Sequence, residues 1–475
     1  MFKINDAHAR TDAEKLKPDT DKAGQLGLTG KFSWKYLVDI GIVLVMAAIL
    51  FWGASSQFSN RYNDATRYQC YAIAFWQGKA GIDALGLDAN SKSQCAFLDN
   101  SSSATLATKL KARGFPNFLI NLVESQSTTQ PLHALPPEYP FLTLAPFSLP
   151  LLAPFSWYQV VFAILMAIVA AIIYFVIKFN RSTWAAIAFA FYLALGSWAL
   201  AETRFDLIPA ALTLGAVILA ARAKWKWAFA LLALATMLKF YPVVLVVPFL
   251  ITQQMQHSEK WTAWRRWSAL GLFVGICVLL TAISLVLNVA NTLVPFSYFL
   301  NRPIQVESLP GVLLWLGNFA GRPVQYTFIY QSLNFVSSLS SKVSLLSTGL
   351  LVAGLLFIWW LQWRGKLDIF TGSLLTLLVV MIMGKVFSPQ YLMWVTPLIA
   401  YIGKANWRWL VSWGAVCALT VIIFPNIYVD LPHIEKYYGV IAARDALILA
   451  IVCVLLLFVA ARSSLKIDSN RAGKL

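Results

Sequence analysis

The chain has 475 residues, of which 59% are hydrophobic and only 12% are charged. Soluble domains carry about 25% charged residues, so this composition excludes a soluble globular protein and indicates an integral membrane protein. The formal net charge of +17 does not call for a nucleic-acid partner, because polytopic membrane proteins gather Lys and Arg in short cytoplasmic loops. We therefore expect membrane lipids, and no nucleic acid, among the partners.

Residues 1–35 are polar and mixed in charge, which predicts a cytoplasmic tail. The apolar run over 36–55 is longer than the hydrophobic region of a signal peptide and predicts a retained first span. Ten later apolar runs each approach or exceed the roughly 17–25 residues that cross a bilayer. They lie at 157–178, 183–200, 204–222, 226–254, 267–290, 344–363, 368–384, 388–403, 407–424 and 441–462.

Short basic linkers between these runs set the predicted orientation, since placing them in the cytoplasm with the N-terminus satisfies the positive-inside rule. The run 226–254 must then be a hairpin of two helices that turns at Lys239-Phe240-Tyr241-Pro242. The proline-rich stretch 139–155 must re-enter the membrane or lie at its surface. A short true span over 139–155 stays the alternative.

This topology predicts an all-α polytopic membrane protein of about 12 transmembrane helices, formed by residues 36–462. Its external face would carry three loops, at 56–140, 291–343 and 425–440, together with short amphipathic helices. Residues 463–475 would form a cytoplasmic C-terminal tail.

The first external loop opens with Asn60-Arg61-Tyr62-Asn63-Asp64-Ala65-Thr66-Arg67-Tyr68, a carboxylate between two arginines where the first span ends. An amphipathic helix is predicted at Ala65–Gln77. Cys70 and Cys95 lie in the same loop, so a disulfide is one possibility and two free thiols are the other.

Other polar residues cluster at the ends of spans on the same predicted side. They are Tyr139, Arg204, Asp206, Lys239, Tyr241, Arg302, Glu307, Lys385, Gln390 and Tyr391. Charges near a membrane boundary are costly unless they face a cavity or a partner. Lys239, Lys385 and Arg204 would suit a phosphate group, and Asp64 would then accept a proton from a hydroxyl nucleophile.

Each of these features also has a simpler interpretation. Asp64 could be a solvated loop charge, Arg204 and Asp206 an interfacial salt bridge, and Lys239 an ordinary turn residue. The histidines show no metal-ligand spacing, so no metal and no cofactor is predicted. The shared location of the charged residues, rather than any one of them, favours a site for an anionic ligand.

Three motifs resemble the bacterial membrane mannosyltransferases that use polyprenyl-phosphate-mannose, members of the GT-C class of multi-span glycosyltransferases. In chain order they are Arg204-Phe205-Asp206-Leu207-Ile208-Pro209-Ala210-Ala211-Leu212, Lys239-Phe240-Tyr241-Pro242 and Phe387-Ser388-Pro389-Gln390-Tyr391-Leu392-Met393-Trp394. The resemblance covers roughly residues 36–460.

The resemblance implies a polyprenyl-phosphate-linked sugar donor, with mannose as the sugar, and a catalytic acidic residue in the first external loop, where Asp64 matches. It further implies that Lys239, Lys385 and Arg204 face the donor phosphate. Arg67, Tyr139, Asp206, Tyr241, Arg302, Glu307, Gln390 and Tyr391 complete the predicted substrate-binding set. A glycolipid or glycan would be the acceptor, at the extracytoplasmic side of a bacterial plasma membrane.

Two alternatives to this transferase stay open. A secondary transporter or flippase would also place charges in a membrane protein, although it would need them at mid-depth and accessible from both sides. A related enzyme could ligate polymeric glycans or transfer arabinose, glucose or a phospho-group. The sequence does not determine the oligomeric state.

Overall fold

The computed structural model describes residues 34–58, 63–86, 92–99, 102–256, 260 and 262–472. The chain divides into two compact units, 1–44 and 45–475. The described part of the first unit is the beginning of one helix, and all other elements belong to the second. The predicted N-terminal tail, apart from residues 34 and 35, and Arg61 of the first loop lie outside the described residues.

Helices dominate the described residues, as the predicted all-α class requires. We number them α1 (Trp34–Phe58), α2 (Asp64–Ala84), α3 (Ser102–Ala112), α4 (Asn117–Ser125), α5 (Leu144–Ser148), α6 (Tyr158–Asn180), α7 (Thr183–Gly196), α8 (Leu207–Ala221), α9 (Trp225–Leu238), α10 (Val246–Gln256), α11 (Trp264–Leu287), α12 (Val289–Asn301), α13 (Leu309–Phe319), α14 (Ser340–Trp363), α15 (Ile369–Met383), α16 (Leu392–Gly403), α17 (Trp407–Ile423), α18 (Asn426–Val429) and α19 (Tyr438–Ala472).

Six helical segments in the described part of the chain are long and apolar enough to cross a membrane. They are Tyr36–Ser56, Phe155–Asn180, Trp264–Leu287, Ser340–Trp363, Trp407–Tyr428 and His433–Phe458. The predicted number of about 12 spans stays a prediction, because several of the predicted runs form shorter helices. At 1.5 Å per residue, the 14 or 15 residues of α7, α8, α9 and α15 extend about 21–23 Å, less than the roughly 30 Å of a hydrocarbon layer.

The short helices are largely buried in the protein. Polar backbone groups at their ends therefore do not have to face lipid, which is the condition under which helices can end at membrane depth. Each of them ends next to a segment that carries predicted site residues: 197–206 between α7 and α8, Lys239 after α9, and 384–391 after α15.

Two local interruptions of the helices lie where the sequence predicts them, while the hairpin path of 226–254 and the re-entrant or surface position of 139–155 stay predictions. Helix α9 ends at Leu238, Lys239 is extended, and a 3₁₀ turn at Tyr241–Leu245 leads into α10, so the run 226–254 contains two helices. The stretch 139–155 is not one continuous helix. It consists of α5 flanked by the 3₁₀ turns Phe141–Thr143 and Leu149–Leu152, because its prolines cannot continue a regular hydrogen-bond ladder.

The amphipathic interpretation of Ala65–Gln77 is wrong, although a helix is present there. Every side chain from Ala65 to Phe75 on α2 is buried, so this part of the helix has no solvent-facing side. The alternation of polar and apolar residues instead reflects polar side chains that are paired inside the protein.

A small antiparallel sheet within the second predicted loop was not expected. Its strands are β1 (Ile304–Gln305), β2 (Gln325–Ile329) and β3 (Ser332–Val336), in the order β1-β3-β2. Strands β2 and β3 form a hairpin whose register pairs Ile329 with Ser332. Phe335 of β3 packs against Tyr438 of α19 in the same apolar cluster as Ile304.

Helices α7 and α17 approach closely at Gly196. A Cβ atom added there would lie 2.6 Å from Sγ and 2.7 Å from Cβ of Cys417, and 3.2 Å from its Cα. Rotation of the thiol cannot relieve the last two contacts, so the position requires glycine.

We expect Gly196→Ala to lower the free energy of unfolding by about 1–3 kcal/mol, the usual cost of overpacking a core. Thermal unfolding in detergent measures the effect. Gly349→Ala is the matched control, because nothing lies within 4 Å of a Cβ at this helical position, and alanine should there stabilise by about 0.5–1 kcal/mol. Equal melting temperatures for Gly196→Ala and the wild type would contradict the packing argument.

Candidate active site

The N-terminus of α2 places Asp64 at the start of the helix. Asn63 caps the helix, since its side-chain oxygen accepts a hydrogen bond from the backbone N–H of Thr66 at 2.9 Å. Gln159 of α6 then bonds both residues: it accepts from the Asn63 amide at 2.9 Å and donates to the Thr66 hydroxyl at 2.8 Å. The cap therefore fixes Asp64 against a membrane helix.

The two carboxylate oxygens of Asp64 face different arginines. Oδ2 forms an ion pair with the Arg204 guanidinium, and Oδ1 lies 3.4 Å from a guanidinium nitrogen of Arg67. Burial by itself raises the pKa of Asp64, but Arg204, Arg67 and Lys239 together lower it below its ordinary value. Asp64 is therefore an ionised carboxylate in a largely desolvated setting.

Arg67 gathers side chains from three further segments. Its guanidinium contacts both carboxylate oxygens of Glu138, at 3.2 and 3.3 Å. It also donates to the amide oxygens of Gln94, at 3.4 Å, and Gln331, at 3.2 Å. Arg67 is only 8% exposed, so these partners replace the water that a buried guanidinium would otherwise lose.

A disulfide lies beside this arrangement. Cys70, one helical turn after Arg67, is bonded to Cys95, the neighbour of Gln94. Of the two possibilities left open by the sequence, the structure thus has the bonded one. The bond ties the segment that carries Gln94 to the helix that carries Arg67.

A second ion pair is coupled electrostatically to Arg204. The Lys239 ammonium donates to Oδ1 of Asp206 at 2.6 Å, and the indole N–H of Trp394 donates to the same oxygen at 2.6 Å. Burial lowers the pKa of Lys239, against the opposing influence of Asp206. The charge of Lys239 also acts on Asp64, so the two ion pairs form one electrostatic unit. We call Asp64, Arg67, Glu138, Arg204, Asp206 and Lys239 the Asp64 cluster.

Aromatic rings line this cluster. Trp394 stacks between Tyr241 and Tyr391, with ring centroids 4.1 and 3.7 Å away. Lys239 lies 5.8 Å from the ring centroid of Tyr139 and 5.1 Å from that of Phe205. These rings exclude water and offer their faces to the cation, which strengthens the electrostatic interactions nearby.

A third group of predicted residues lies around Lys385. Burial and then the charge of Arg302 lower the pKa of Lys385, and the Lys385 carbonyl accepts from the Gln305 backbone N–H at 2.9 Å. The Tyr391 hydroxyl lies within electrostatic range of Arg302, Asp206 and Arg204. Tyr391 therefore connects the Lys385 group to the Asp64 cluster. Gln390 is buried, and its Oε1 accepts no hydrogen bond in the described part of the chain.

Glu307 has its own set of partners. It is fully buried, accepts from the Tyr428 hydroxyl at 3.1 Å and lies 3.7 Å from the Arg444 guanidinium, which also pairs with Asp445 at 3.0 Å. Burial raises the pKa of Glu307 to about 7, against the lowering influence of Arg444. Glu307 is enclosed by protein, and the charge of Arg204 links it electrostatically to the Asp64 cluster.

The sequence anticipated many, but not all, of the residues that the structure brings together. Asp64, Arg67, Tyr139, Arg204, Asp206, Lys239, Tyr241 and Tyr391 lie in or against the Asp64 cluster, whereas Arg302, Lys385, Gln390 and Glu307 lie beside it. Gln94 and Gln331 were not predicted, and Glu138 and Trp394 were not assigned a role. Glu138 directly precedes Tyr139 and Trp394 ends the third motif, but no sequence signal marks the two glutamines.

Arg444 and Asp445 were also missed, although a signal was present. Both lie inside the last apolar run, where a charged residue must face a polar partner. Among the described residues, no group of three His, Cys, Asp or Glu side chains is arranged to hold a metal ion.

Comparison with known families identifies one family whose model covers part of this site. The family model for glycosyltransferase family 87 matches residues 139–389, which is just over half of the 475 residues. The matched region contains the segments of Arg204, Lys239 and Lys385, and it ends just after α15. No curated protein matches the chain.

Glu202, two residues before Arg204, differs from the other carboxylates near the site. It is 1% exposed, and neither of its oxygens has a hydrogen-bond partner in the described part of the chain. Burial raises its pKa from 4.5 to about 8. Between pH 4.5 and about 8, the folded state keeps the Glu202 proton that the unfolded state has released. The contribution of Glu202 to the free energy of unfolding therefore falls as the pH rises across this range.

We expect the wild-type melting temperature to fall between pH 5 and 8.5 more steeply than that of Glu202→Gln. The linkage is at most about 1.4 kcal/mol of unfolding free energy per pH unit and per proton. Thermal scans in detergent across this range measure it. Glu124→Gln, at an exposed carboxylate, should keep the wild-type slope. If Glu202→Gln also keeps the wild-type slope of melting temperature against pH, Glu202 is not a buried neutral acid.

Proposed function

We propose a reaction for this chain, which belongs to glycosyltransferase family 87 and is a membrane glycosyltransferase. Such an enzyme requires a sugar donor and an acceptor. Family membership favours transfer over the alternative of a transporter or flippase. We infer that the Asp64 cluster is the active site and that the reaction is an inverting transfer of a sugar to a hydroxyl group.

One observation carries this proposal: the two oxygens of Asp64 are shared between Arg67 and Arg204, and Arg204 also lies within the field of Asp206. As an ion pair with Arg204, Asp64 is a weak base. An anionic donor would compete for Arg204 and neutralise its charge. The pKa of Asp64 would then rise toward its ordinary value, which activates the carboxylate when the donor is bound.

In the proposed step, Asp64 takes the proton of an acceptor hydroxyl while the hydroxyl oxygen forms a bond to the anomeric carbon of the donor sugar. The bond from that carbon to the phosphate oxygen breaks, and the phosphate leaves with the electron pair. Arg204, Lys239 and Lys385 stabilise the negative charge on the leaving phosphate. A single displacement inverts the anomeric carbon, and no step of this mechanism calls on a metal.

The donor that we propose is a polyprenyl-phosphate sugar, and the sugar is mannose by resemblance. An apolar cleft beside Lys239 supports a lipid donor, since it is lined by Tyr139, Phe240, Pro295 and Phe296. The cleft is much smaller than a polyprenyl chain, so it supports only a path for the chain past this surface, with the phosphate next to the Lys239 ammonium. The cleft also includes Asn291, so its lining is not purely apolar.

We further propose that this site faces the extracytoplasmic side of a bacterial plasma membrane and that the acceptor is a glycolipid or glycan. The disulfide between Cys70 and Cys95 supports this orientation, because disulfides persist in oxidising compartments. The basic linkers at the opposite ends of the helices agree with it through the positive-inside rule.

We expect Asp64→Asn to lower the rate of sugar transfer by about 10²–10⁴-fold, because the amide cannot accept the proton. The assay uses purified protein, a polyprenyl-phosphate mannose donor and release of polyprenyl phosphate as the readout. Asp83→Asn is the matched control, since Asp83 is an exposed carboxylate on the same helix, and its rate should equal that of the wild type. Near-normal turnover by Asp64→Asn would disprove the assignment of the base.

We expect Lys385→Gln to raise the KM for the donor about tenfold, which corresponds to ~1.4 kcal/mol of lost binding, without changing the KM for the acceptor. The loss of a cation near the phosphate causes the effect. Lys385→Arg keeps the charge and should lie close to the wild type. Unchanged donor KM in Lys385→Gln would remove Lys385 from the phosphate site.

A further inference from the structure

The β2–β3 hairpin ends in a two-residue turn with an unusual backbone. Tyr330 and Gln331 have φ angles of +53° and +54°. A turn of this kind normally carries Asn or Gly, because side chains with a Cβ are strained at positive φ. The buried Asn334 braces the turn by donating to the carbonyl of Ile329 at 2.9 Å. The hairpin thus maintains a costly conformation at its tip.

The tip is where the hairpin reaches the Asp64 cluster. Gln331 is exposed, yet its side-chain oxygen accepts from the buried guanidinium of Arg67 at 3.2 Å. The positive-φ backbone thereby places the exposed Gln331 side chain against Arg67 of the Asp64 cluster. Strain maintained at such a position is typical of functional sites.

Gln331 and Gln94 approach Arg67 in the same way. A guanidinium only donates, so each glutamine must present its oxygen to Arg67 and turn its NH₂ group elsewhere. In the part of the chain that the structure describes, neither NH₂ group donates to a protein acceptor. Together with the Glu138 carboxylate, the two amides form a set of planar donors and acceptors around one cation.

The Asp64 carboxylate divides the cluster into two sides. Its Oδ2 faces Arg204, which is coupled electrostatically to Asp206 and so to the Asp206–Lys239 pair, and its Oδ1 faces Arg67 with Gln94, Glu138 and Gln331. The first side carries the cations that suit a phosphate. The second side carries one cation, Arg67, whose charge is offset by Glu138, together with two neutral amides whose NH₂ groups suit vicinal hydroxyl groups.

We propose that the acceptor is a hydroxyl-rich sugar ring that binds on the Arg67 side of Asp64, and that Gln331 at the hairpin tip is a specificity-determining residue for it. This inference rests on the proposed function. The Gln331 and Gln94 NH₂ groups donate to ring hydroxyls, and Arg67 holds both glutamines in place. A neighbouring hydroxyl is then delivered to Asp64 Oδ1, opposite the donor phosphate.

The decisive variant is Gln331→Gly. Glycine adopts a φ of +54° without strain, so this change removes the side chain while preserving, or stabilising, the turn. The experiment measures transfer from polyprenyl-phosphate mannose to octyl α-mannoside, and to methyl α-mannoside as the water-soluble counterpart. Donor hydrolysis, which is transfer to water, is measured in the same preparation without an acceptor.

We expect Gln331→Gly to raise the acceptor KM at least tenfold, with unchanged donor KM and an unchanged rate of hydrolysis. Gln331→Glu keeps an oxygen on Arg67 but has no NH₂ group, so it should also raise the acceptor KM. Val336→Ala, at an exposed position at the far end of the hairpin, should behave as the wild type. The loss in Gln331→Gly should be the same for both acceptors, because they share the ring, and a lower wild-type KM for octyl α-mannoside than for methyl α-mannoside indicates a lipid-linked acceptor.

Two outcomes would overturn the inference. An unchanged acceptor KM in Gln331→Gly means that the hairpin tip does not contact the acceptor. Equal losses in transfer and hydrolysis mean that Gln331 only positions Arg67. Failure of the proposed function has a different signature, since the wild-type protein would then cleave no donor at all.

Discussion

The structure depends on the pairing of charges in an interior that offers little water. Three carboxylates and three cations meet in the Asp64 cluster, and an unpaired member would cost several kcal/mol at this degree of burial. The members come from α2, the segment before α5, the connector between α7 and α8, and the end of α9. The ion pairs therefore join these segments to one another, and aromatic rings pack around the paired charges.

The short length of helices α7, α8, α9 and α15 is compatible with the position of the Asp64 cluster. The four short helices are buried by neighbours, so they can stop before crossing a full bilayer thickness, and their ends supply the space that the cluster occupies. The longer helices, such as α14 with its exposed apolar side chains, provide the surface that contacts lipid. The short helices thus surround the Asp64 cluster, and the longer helices supply the apolar outer surface.

Physical patterns in the sequence explain which parts of the site were predictable. Lys239-Phe240-Tyr241-Pro242 breaks a long apolar run with a charge and a proline, and both features are visible locally. Asp64 and Arg204 stand out because they are charges beside apolar runs. The two glutamine partners of Arg67 were not predictable, because Gln94 and Gln331 lie in polar loops and approach Arg67 only through a disulfide and a hairpin turn. The buried character of α2 was missed for a related reason, since its polar residues find partners distant in sequence.

The charges within the Asp64 cluster cancel: Asp64, Glu138 and Asp206 balance Arg67, Arg204 and Lys239. A neutral cluster produces little field beyond its immediate surroundings and cannot draw an anion from bulk water over long distances. The lipid-linked donor proposed above would not need such attraction, because it diffuses within the two dimensions of the membrane. Its encounter with the Asp64 cluster would then depend on its surface density in the bilayer rather than on ionic strength.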